Sequence, residues 1–200
     1  MSRLDETLAM DRRRFLRASL AGGAMLVAGA GMVIPRLFAA ENTPVGKPGN
    51  VLLETFGDDG RDLGAHEVPK LVLTDAQWRH RLAPASYEIM RRDGTELAFS
   101  GDHEKPAVAG LFRCMACATA LYDAATEFES GTGWPSYWQP IARHNVIEHR
   151  DHLFGMERIA ISCAGCDSHL GHVFNDGPAP TGLRYCMNSV ALRFVPRHTG

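Results

Sequence analysis

The sequence lacks the positive charge that binding to nucleic acid requires. Its formal net charge is −2, and six Arg with three acidic residues give residues 1–40 a net charge of +3. The remaining residues carry 15 basic and 20 acidic side chains, a net charge of −5. Because nucleic-acid binding depends on neutralising phosphates, this acidic part of the chain argues against a nucleic acid as a partner.

The sequence also lacks a strongly hydrophobic run of membrane-spanning length. The uncharged stretch Ala18–Ile34 is rich in Ala and Gly and sits at the lower limit for a span. It follows the Arg-rich run Arg12–Leu16, an order that resembles a twin-arginine export signal. We therefore predict that residues 1–40 are a signal for the twin-arginine translocase and that the protein is periplasmic or otherwise exported. Phe38 is unusual at the third position before a cut after Ala40, so retention as a membrane tether is the alternative.

The rest of the chain is the size of one domain and shows no internal repeat. Residues 41–69 contain Pro, Gly and Asp with little periodicity, which predicts a linker or irregular arm. Residues 70–197 hold the folded domain. A helix is predicted from Thr74, with Trp78 and Leu82 on one face and Pro84 at its end, and a second from Ser86 to Arg92.

Short apolar runs separated by Gly, Pro, Asp and Asn follow these helices, and such runs predict an antiparallel, mainly β fold. The predicted strands are Gly110–Arg113, Ala120–Tyr122, Val146–His149, Arg158–Ser162, His172–Phe174 and Ser189–Val195.

Cysteine is scarce, and four of the five cysteines form two Cys-x-x-Cys pairs with 45 residues between them. Two such turns can direct four thiolates at one centre, as a tetrahedral Zn²⁺ requires. Two disulfides are the alternative, but a disulfide across two residues closes a small, strained loop. We predict a structural zinc site, because four protein ligands leave no open position. The predicted ligands are Cys114, Cys117, Cys163 and Cys166.

The fifth cysteine, Cys186, lies between Arg184 and Asn188. On a strand these three side chains would project from one face, and positive charge or hydrogen-bond donors favour a reactive thiolate. His169 and His172 add two imidazoles that can transfer protons near neutral pH. A buried structural cysteine is the more common fate of a lone Cys, so Cys186 alone leaves both interpretations open.

The stretch Gly131–Tyr137 places Trp134 in a rigid loop between Gly and Pro. Such an aromatic surface suits a small apolar group such as a thioether methyl, and filling the core is the alternative.

Together these segments resemble the peptide-methionine (R)-S-oxide reductases, the B-type methionine sulfoxide reductases. The resemblance spans roughly Leu71 to Pro196. It rests on the two Cys-x-x-Cys pairs and on the segments Gly94–Glu96, Phe99–Gly101, Gly131–Tyr137, His169–Pro178 and Arg184–Ser189. It implies two twisted antiparallel sheets with short N-terminal helices and a zinc site. The implied activity is the reduction of the R epimer of methionine sulfoxide in proteins, a repair of oxidative damage.

The resemblance also implies roles for individual residues. Cys186 would attack the sulfoxide sulfur and be left as a sulfenic acid. Trp134 would hold the substrate methyl group. His169, His172 and Asn188 would bind or protonate the sulfoxide oxygen, with His172 the first choice for the acid. Arg184 is our own addition, as a residue of the substrate site that stabilises the thiolate.

The chain departs from the family pattern at two positions. Thr132 stands where many members carry a resolving cysteine, so an external thiol reductant, thioredoxin-like or other, would have to regenerate Cys186. Many members also carry an acid shortly after the position of Arg158, where this chain has Ile159-Ala160.

Two other classes of function fit the sequence less well. A zinc-organised binding module would leave Cys186 buried and inert, and has no reason to combine it with Trp134, His172 and Asn188. A thiol–disulfide oxidoreductase would need an exposed, metal-free cysteine pair.

Overall fold

The computed structural model describes residues 44–57, 59–101, 106–151 and 157–197. The predicted export signal, residues 1–40, lies outside these ranges. Within them, no helix is long and apolar enough to cross a membrane.

The described residues form twelve short strands and two helices, connected in places by 3-10 turns. The strands are β1 Pro44–Val45, β2 Asn50–Phe56, β3 Asp62–Pro69, β4 Leu73–Thr74, β5 Gly110–Cys114, β6 Ala120–Asp123, β7 Ser136–Tyr137, β8 Val146–Asp151, β9 Arg158–Cys163, β10 His169–Phe174, β11 Arg184–Met187 and β12 Leu192–Pro196. The helices are α1 Asp75–Arg81 and α2 Pro84–Arg92, and the 3-10 turns are Ala124–Thr126, Arg143–Asn145 and Ser189–Ala191.

The two predicted helices are confirmed. Helix α1 begins after Thr74, whose side chain and that of Gln77 cap each other's backbone N–H groups. Helix α2 has Pro84 in its first turn and ends at Asp93, which adopts a left-handed conformation. Trp78 is fully buried, with the Arg91 guanidinium 4.5 Å above its ring.

Two antiparallel sheets form the body of the domain, as the family resemblance implied. One sheet has the strand order β7-β11-β10-β9-β8, and the other has the order β12-β5-β6. Their inner faces share one apolar core, in which Tyr122 stacks on Tyr137 with ring centroids 4.2 Å apart. The predicted strand Ser189–Val195 is wrong at its start, since a 3-10 turn precedes β12.

The prediction of an irregular arm over residues 41–69 is wrong for most of that range. Strands β2 and β3 pair over their whole length as a hairpin. Arg113 donates to the carbonyl oxygens of Phe56 and Gly57 at 2.8 Å each, and Leu53 is buried. The hairpin buries few side chains, so its apolar alternation was too weak to signal strands.

Candidate active site

A single row of side chains crosses the five-stranded sheet and contains the fifth cysteine. Cys186 on β11 pairs with His172 on β10 and with Ser136 on β7. The row continues from His172 to Ala160 on β9 and His149 on β8. Because directly paired residues project from the same face of a sheet, the register brings the Cys186 thiol beside the His172 imidazole.

A cavity of about 120 Å³ opens beside this row. Cys186, His172, Trp134 and Asn188 all line it, together with the apolar side chain of Phe174. The structure therefore brings together four residues that the sequence singled out from three separate segments. A thiol, an imidazole, a carboxamide and an aromatic wall face one space that is large enough for a small sulfur-containing group.

The environment of Cys186 acts on the pKa of its thiol in two opposite directions, and the net effect is to raise it. Burial raises the pKa of the Cys186 thiol, because a thiolate is poorly solvated there. The charge of Arg184 and hydrogen bonds with Thr132, Ser136 and Arg184 lower that pKa in opposition. A positive charge and hydrogen-bond donors, which a reactive cysteine needs to stabilise its thiolate, therefore lie beside Cys186.

Arg184 is held behind the cavity lining rather than in it. Its guanidinium makes two hydrogen bonds to Asp176, at 2.9 and 2.8 Å, and lies 4.5 Å above the Phe174 ring. The hydrogen bond to Asp176 raises the pKa of Arg184, which therefore stays charged. This position suits stabilisation of the thiolate, and the structure does not place Arg184 among the residues that line the Cys186 cavity.

His172 is oriented by a carboxylate that the sequence did not single out. Its Nε2 atom lies 2.8 Å from Asp151 Oδ2, and Arg158 binds the same oxygen at 2.8 Å. Burial lowers the pKa of His172, and the hydrogen bond to Asp151 raises it in opposition. Asp151 lies in a polar stretch with no motif around it, whereas Asp176 belongs to the family-like segment His169–Pro178 and could have been proposed.

The structure does not bring His169 into the Cys186 cavity. His169 lines a neighbouring cavity with Asp93 and His149, and its ring packs edge-on against His172 at 5.3 Å between centroids. Burial lowers the pKa of His169 to about 4, so it is neutral near pH 7. A bulge in β10 between His169 and Gly171 puts His169 on the same face of the sheet as His172, whereas strict alternation would put residues three apart on opposite faces.

The four paired cysteines meet at one point between the two sheets. Cys114 and Cys117 lie at the β5–β6 turn and Cys163 and Cys166 at the β9–β10 turn, with all four sulfurs within 4.8 Å of one another. The sulfurs of Cys114 and Cys166 are 3.7 Å apart, and those of Cys117 and Cys163 are 3.5 Å apart.

These sulfur distances test the choice between zinc and disulfides. A tetrahedral zinc with Zn–S bonds of about 2.3 Å requires sulfurs about 3.8 Å apart, whereas a disulfide requires about 2.05 Å. The cysteines are not joined by disulfides, and their spacing fits the metal. The zinc prediction is confirmed as a tetrathiolate site that joins the tips of both sheets.

A family comparison covers this whole arrangement. Residues 82–196 match the model of the SelR domain. The chain belongs to the SelR domain family. The match includes the Cys186 cavity and all four zinc ligands, and it excludes the β2–β3 hairpin.

Bacterial proteins named peptide methionine sulfoxide reductase MsrB are similar to this SelR-family chain. One from Pseudomonas syringae pv. syringae (strain B728a) is 50% identical over 130 residues, covering 65% of this chain and 99% of the relative. One from Agrobacterium fabrum is 49% identical over 128 residues, covering 64% and 95%. One from Pseudomonas aeruginosa (strain UCBPP-PA14) is 49% identical over 122 residues, covering 61% and 92%.

Proposed function

We propose that the chain reduces the R epimer of methionine sulfoxide in proteins to methionine, with Cys186 as the nucleophile. The observation that carries the proposal is the direct pairing of Cys186 with His172 across one cavity that Trp134 and Asn188 also line. Membership of the SelR domain family and the names of its similar relatives support the same activity.

Cys186 acts on the sulfur of the sulfoxide, and His172 acts on its oxygen. The Cys186 thiolate attacks the sulfoxide sulfur while His172 supplies a proton to the sulfoxide oxygen, since that sulfur is electrophilic only when its oxygen is stabilised. The bond formed between the two sulfurs and the S–O bond of the substrate then both break, as the protonated oxygen moves to the cysteine sulfur. Two electrons pass from the cysteine to the methionine sulfur, so methionine leaves and Cys186 becomes a sulfenic acid.

The remaining side chains hold the substrate for this step. Trp134 packs against the methyl group, and Asn188 donates a hydrogen bond to the oxygen from its carboxamide. Fixing the methyl, the oxygen and the attacked sulfur at once distinguishes the two epimers. Arg184 stabilises the thiolate. His169 supports the His172 ring by packing against it.

Regeneration of Cys186 requires a reductant from outside the chain. The other four cysteines form the metal cluster, and Thr132, a residue of the Trp134 loop that lowers the pKa of Cys186, stands in place of a resolving cysteine. Two thiols, or one thioredoxin-like dithiol, reduce the sulfenic acid to a thiol and release water and a disulfide. We propose such an external thiol as the partner that completes each turnover.

The export proposal concerns residues 1–40 alone. The arginine run before an uncharged, weakly apolar stretch supports passage through the twin-arginine translocase, which would place the enzyme in the periplasm or tether it to the membrane. Replacing the three arginines Arg12–Arg14 by Lys should abolish export in cell fractionation. Unchanged export of that variant would contradict the proposal.

A stereospecific assay tests the activity. The purified, zinc-loaded protein is given a methionine-sulfoxide peptide as separate R and S epimers, with dithiothreitol as reductant. We expect turnover of the R epimer only, and none with Cys186→Ser. Absence of turnover with both epimers in folded, zinc-loaded protein would instead favour a binding module.

A further inference from the structure

Glu96 contacts two of the cavity residues through its main chain. Its N–H donates to Asn188 Oδ1 at 2.9 Å, and its carbonyl oxygen accepts the Trp134 Nε1–H at 3.2 Å. Glu96 itself is outside the cavity lining, whereas Thr95 before it is part of the lining. One residue therefore contacts both the carboxamide and the indole of the site.

The Glu96 side chain is anchored on the 3-10 turn that follows Asn188. Oε1 accepts the Ser189 N–H at 2.6 Å, and Oε2 accepts the Ser189 hydroxyl at 2.9 Å and the Val190 N–H at 3.4 Å. The first amides of such a turn have no hydrogen-bond partner within the turn, so a carboxylate is a strong acceptor for them. This anchor sets the position of the Glu96 main chain.

The contact decides which way the Asn188 carboxamide points. A backbone N–H can only donate, so the Asn188 atom facing Glu96 must be the oxygen Oδ1. Nδ2 then donates to the Leu170 carbonyl oxygen at 3.0 Å, and its second hydrogen is left for the cavity. A rotated carboxamide would present its oxygen to the substrate and repel the sulfoxide oxygen.

The segment that carries Glu96 is closely packed against its partners. A Cβ at Gly101 would lie 1.9 Å from Ser189 Oγ and 3.1 Å from Glu96 Oε2, so a side chain at Gly101 would displace the anchor. The Phe99 N–H donates to the Gly133 carbonyl oxygen at 2.8 Å, beside Trp134. The segment thus joins the Trp134 loop to the turn after Asn188.

We propose that Glu96 is a positioning residue for the reduction: its anchored main chain orients the Asn188 carboxamide and the Trp134 indole towards one substrate. The inference rests on the proposed function, because it assigns Asn188 and Trp134 to the sulfoxide oxygen and methyl. Glu96 acts through these two residues and touches neither the substrate nor Cys186.

The kinetic test compares Glu96→Ala with Glu88→Ala, a matched exposed glutamate on α2. We expect Glu96→Ala to lower kcat/KM for the R-epimer peptide by about tenfold to a hundredfold, because small displacements of positioning groups have effects of this size. The KM should rise, while the alkylation rate of Cys186 and the zinc content stay at wild-type values. Glu96→Gln retains an acceptor for the Ser189 N–H and should restore most of the activity.

A second measurement is independent of turnover. The chain has three Trp, so a ¹H–¹⁵N spectrum shows three indole N–H signals, and Trp134→Phe identifies the one from Trp134. We expect Glu96→Ala to shift this signal and to speed its hydrogen exchange, and Glu88→Ala to leave it unmoved. If Glu96→Ala does not fold, Ser189→Ala removes only the hydroxyl contact and should cause a smaller change in the same direction.

The positioning role of Glu96 and the proposed reductase activity can each fail separately in these experiments. Wild-type kcat/KM with an unmoved Trp134 signal, in folded Glu96→Ala or Ser189→Ala, overturns the positioning role. Wild-type protein that reduces neither epimer overturns the proposed function, and the indole signal then still decides whether Glu96 holds Trp134.

Discussion

The Nε2 atom of His172 lies 2.8 Å from Oδ2 of Asp151, although the two residues are 21 positions apart in the chain. Arg158 binds the same carboxylate oxygen at 2.8 Å. The carboxylate fixes the plane of an imidazole that lines the Cys186 cavity and favours its protonated form. Asp151 therefore controls the residue that we propose as the proton donor.

Asp151→Asn tests this control through the pH dependence of kcat. Asn keeps a hydrogen-bond acceptor but removes the charge that raises the pKa of His172, while burial, Arg158 and His149 continue to lower that pKa. Because protonated His172 donates the proton, activity falls as pH rises through its pKa. The alkaline limb of the profile should therefore move to lower pH in the variant.

The matched control for this profile is Glu157→Gln, which removes a surface ion pair with Arg150. Its alkaline limb should coincide with that of the wild type. An unmoved limb in Asp151→Asn would rule out His172 as the group that titrates there.

Arg184→Met tests the environment of the thiolate. Arg184 lowers the pKa of Cys186 against the effect of burial, so its loss should raise that pKa further. At a fixed pH below the pKa, the alkylation rate by iodoacetamide should fall about tenfold for each unit of increase. Arg193→Met, on the exposed side of β12, serves as the control and should react like the wild type. An equal rate for the two variants would show that Arg184 does not act on the thiol.

Thr132→Cys should convert the enzyme to internal regeneration. The Thr132 side chain is close enough to lower the pKa of Cys186, so a thiol at this position would attack the sulfenic acid and form a disulfide with release of water. One equivalent of the R-epimer peptide, without reductant, should then consume both thiols, as counted by mass spectrometry after alkylation. Thr132→Ser should form no such disulfide. A persistent sulfenic acid in Thr132→Cys would mean that the loop holds position 132 too far from Cys186.

Removal of the metal should unfold the domain. Structural zinc contributes on the order of 10 kcal/mol, which is comparable with the whole stability of a typical domain, about 5–15 kcal/mol. Cys166→Ser should lose the zinc and the near-ultraviolet circular dichroism signal. Cys186→Ser should keep both, with one zinc per chain by elemental analysis. A folded, metal-free Cys166→Ser would show that the core suffices without the cluster.

The sequence predicted the cysteine pairs, but it did not predict the residues that support the site. The spacing of Cys114 and Cys117 is local, because two residues in a tight turn determine where both sulfurs point. Helix α1 was predictable for the same reason, since Thr74 and Gln77 cap it over one turn. The β2–β3 hairpin was missed because it is held by contacts with Arg113 and Asn145, far along the chain.

The residues in and around the cavity were likewise predicted only in part from the sequence. Alternation along a strand correctly grouped Arg184 and Cys186, but it did not show that Asp176 binds Arg184 and keeps it behind the lining. His169 was grouped with His172 by proximity in sequence. The two imidazoles do pack against each other, but His169 lines the neighbouring cavity and is not among the residues that line the Cys186 cavity.

The sequence by itself determined the family resemblance, the mainly β fold, the zinc ligands and the lone cysteine that remains for chemistry. Each of these follows from residue types at short spacings, where the geometry of one turn or one strand sets the outcome. The tertiary structure alone decided that Cys186 faces His172, that Asp151 orients the imidazole and that Glu96 joins Asn188 to Trp134. These pairings depend on strand register and loop packing between distant segments, and many side chains must pack at once before any of them is fixed.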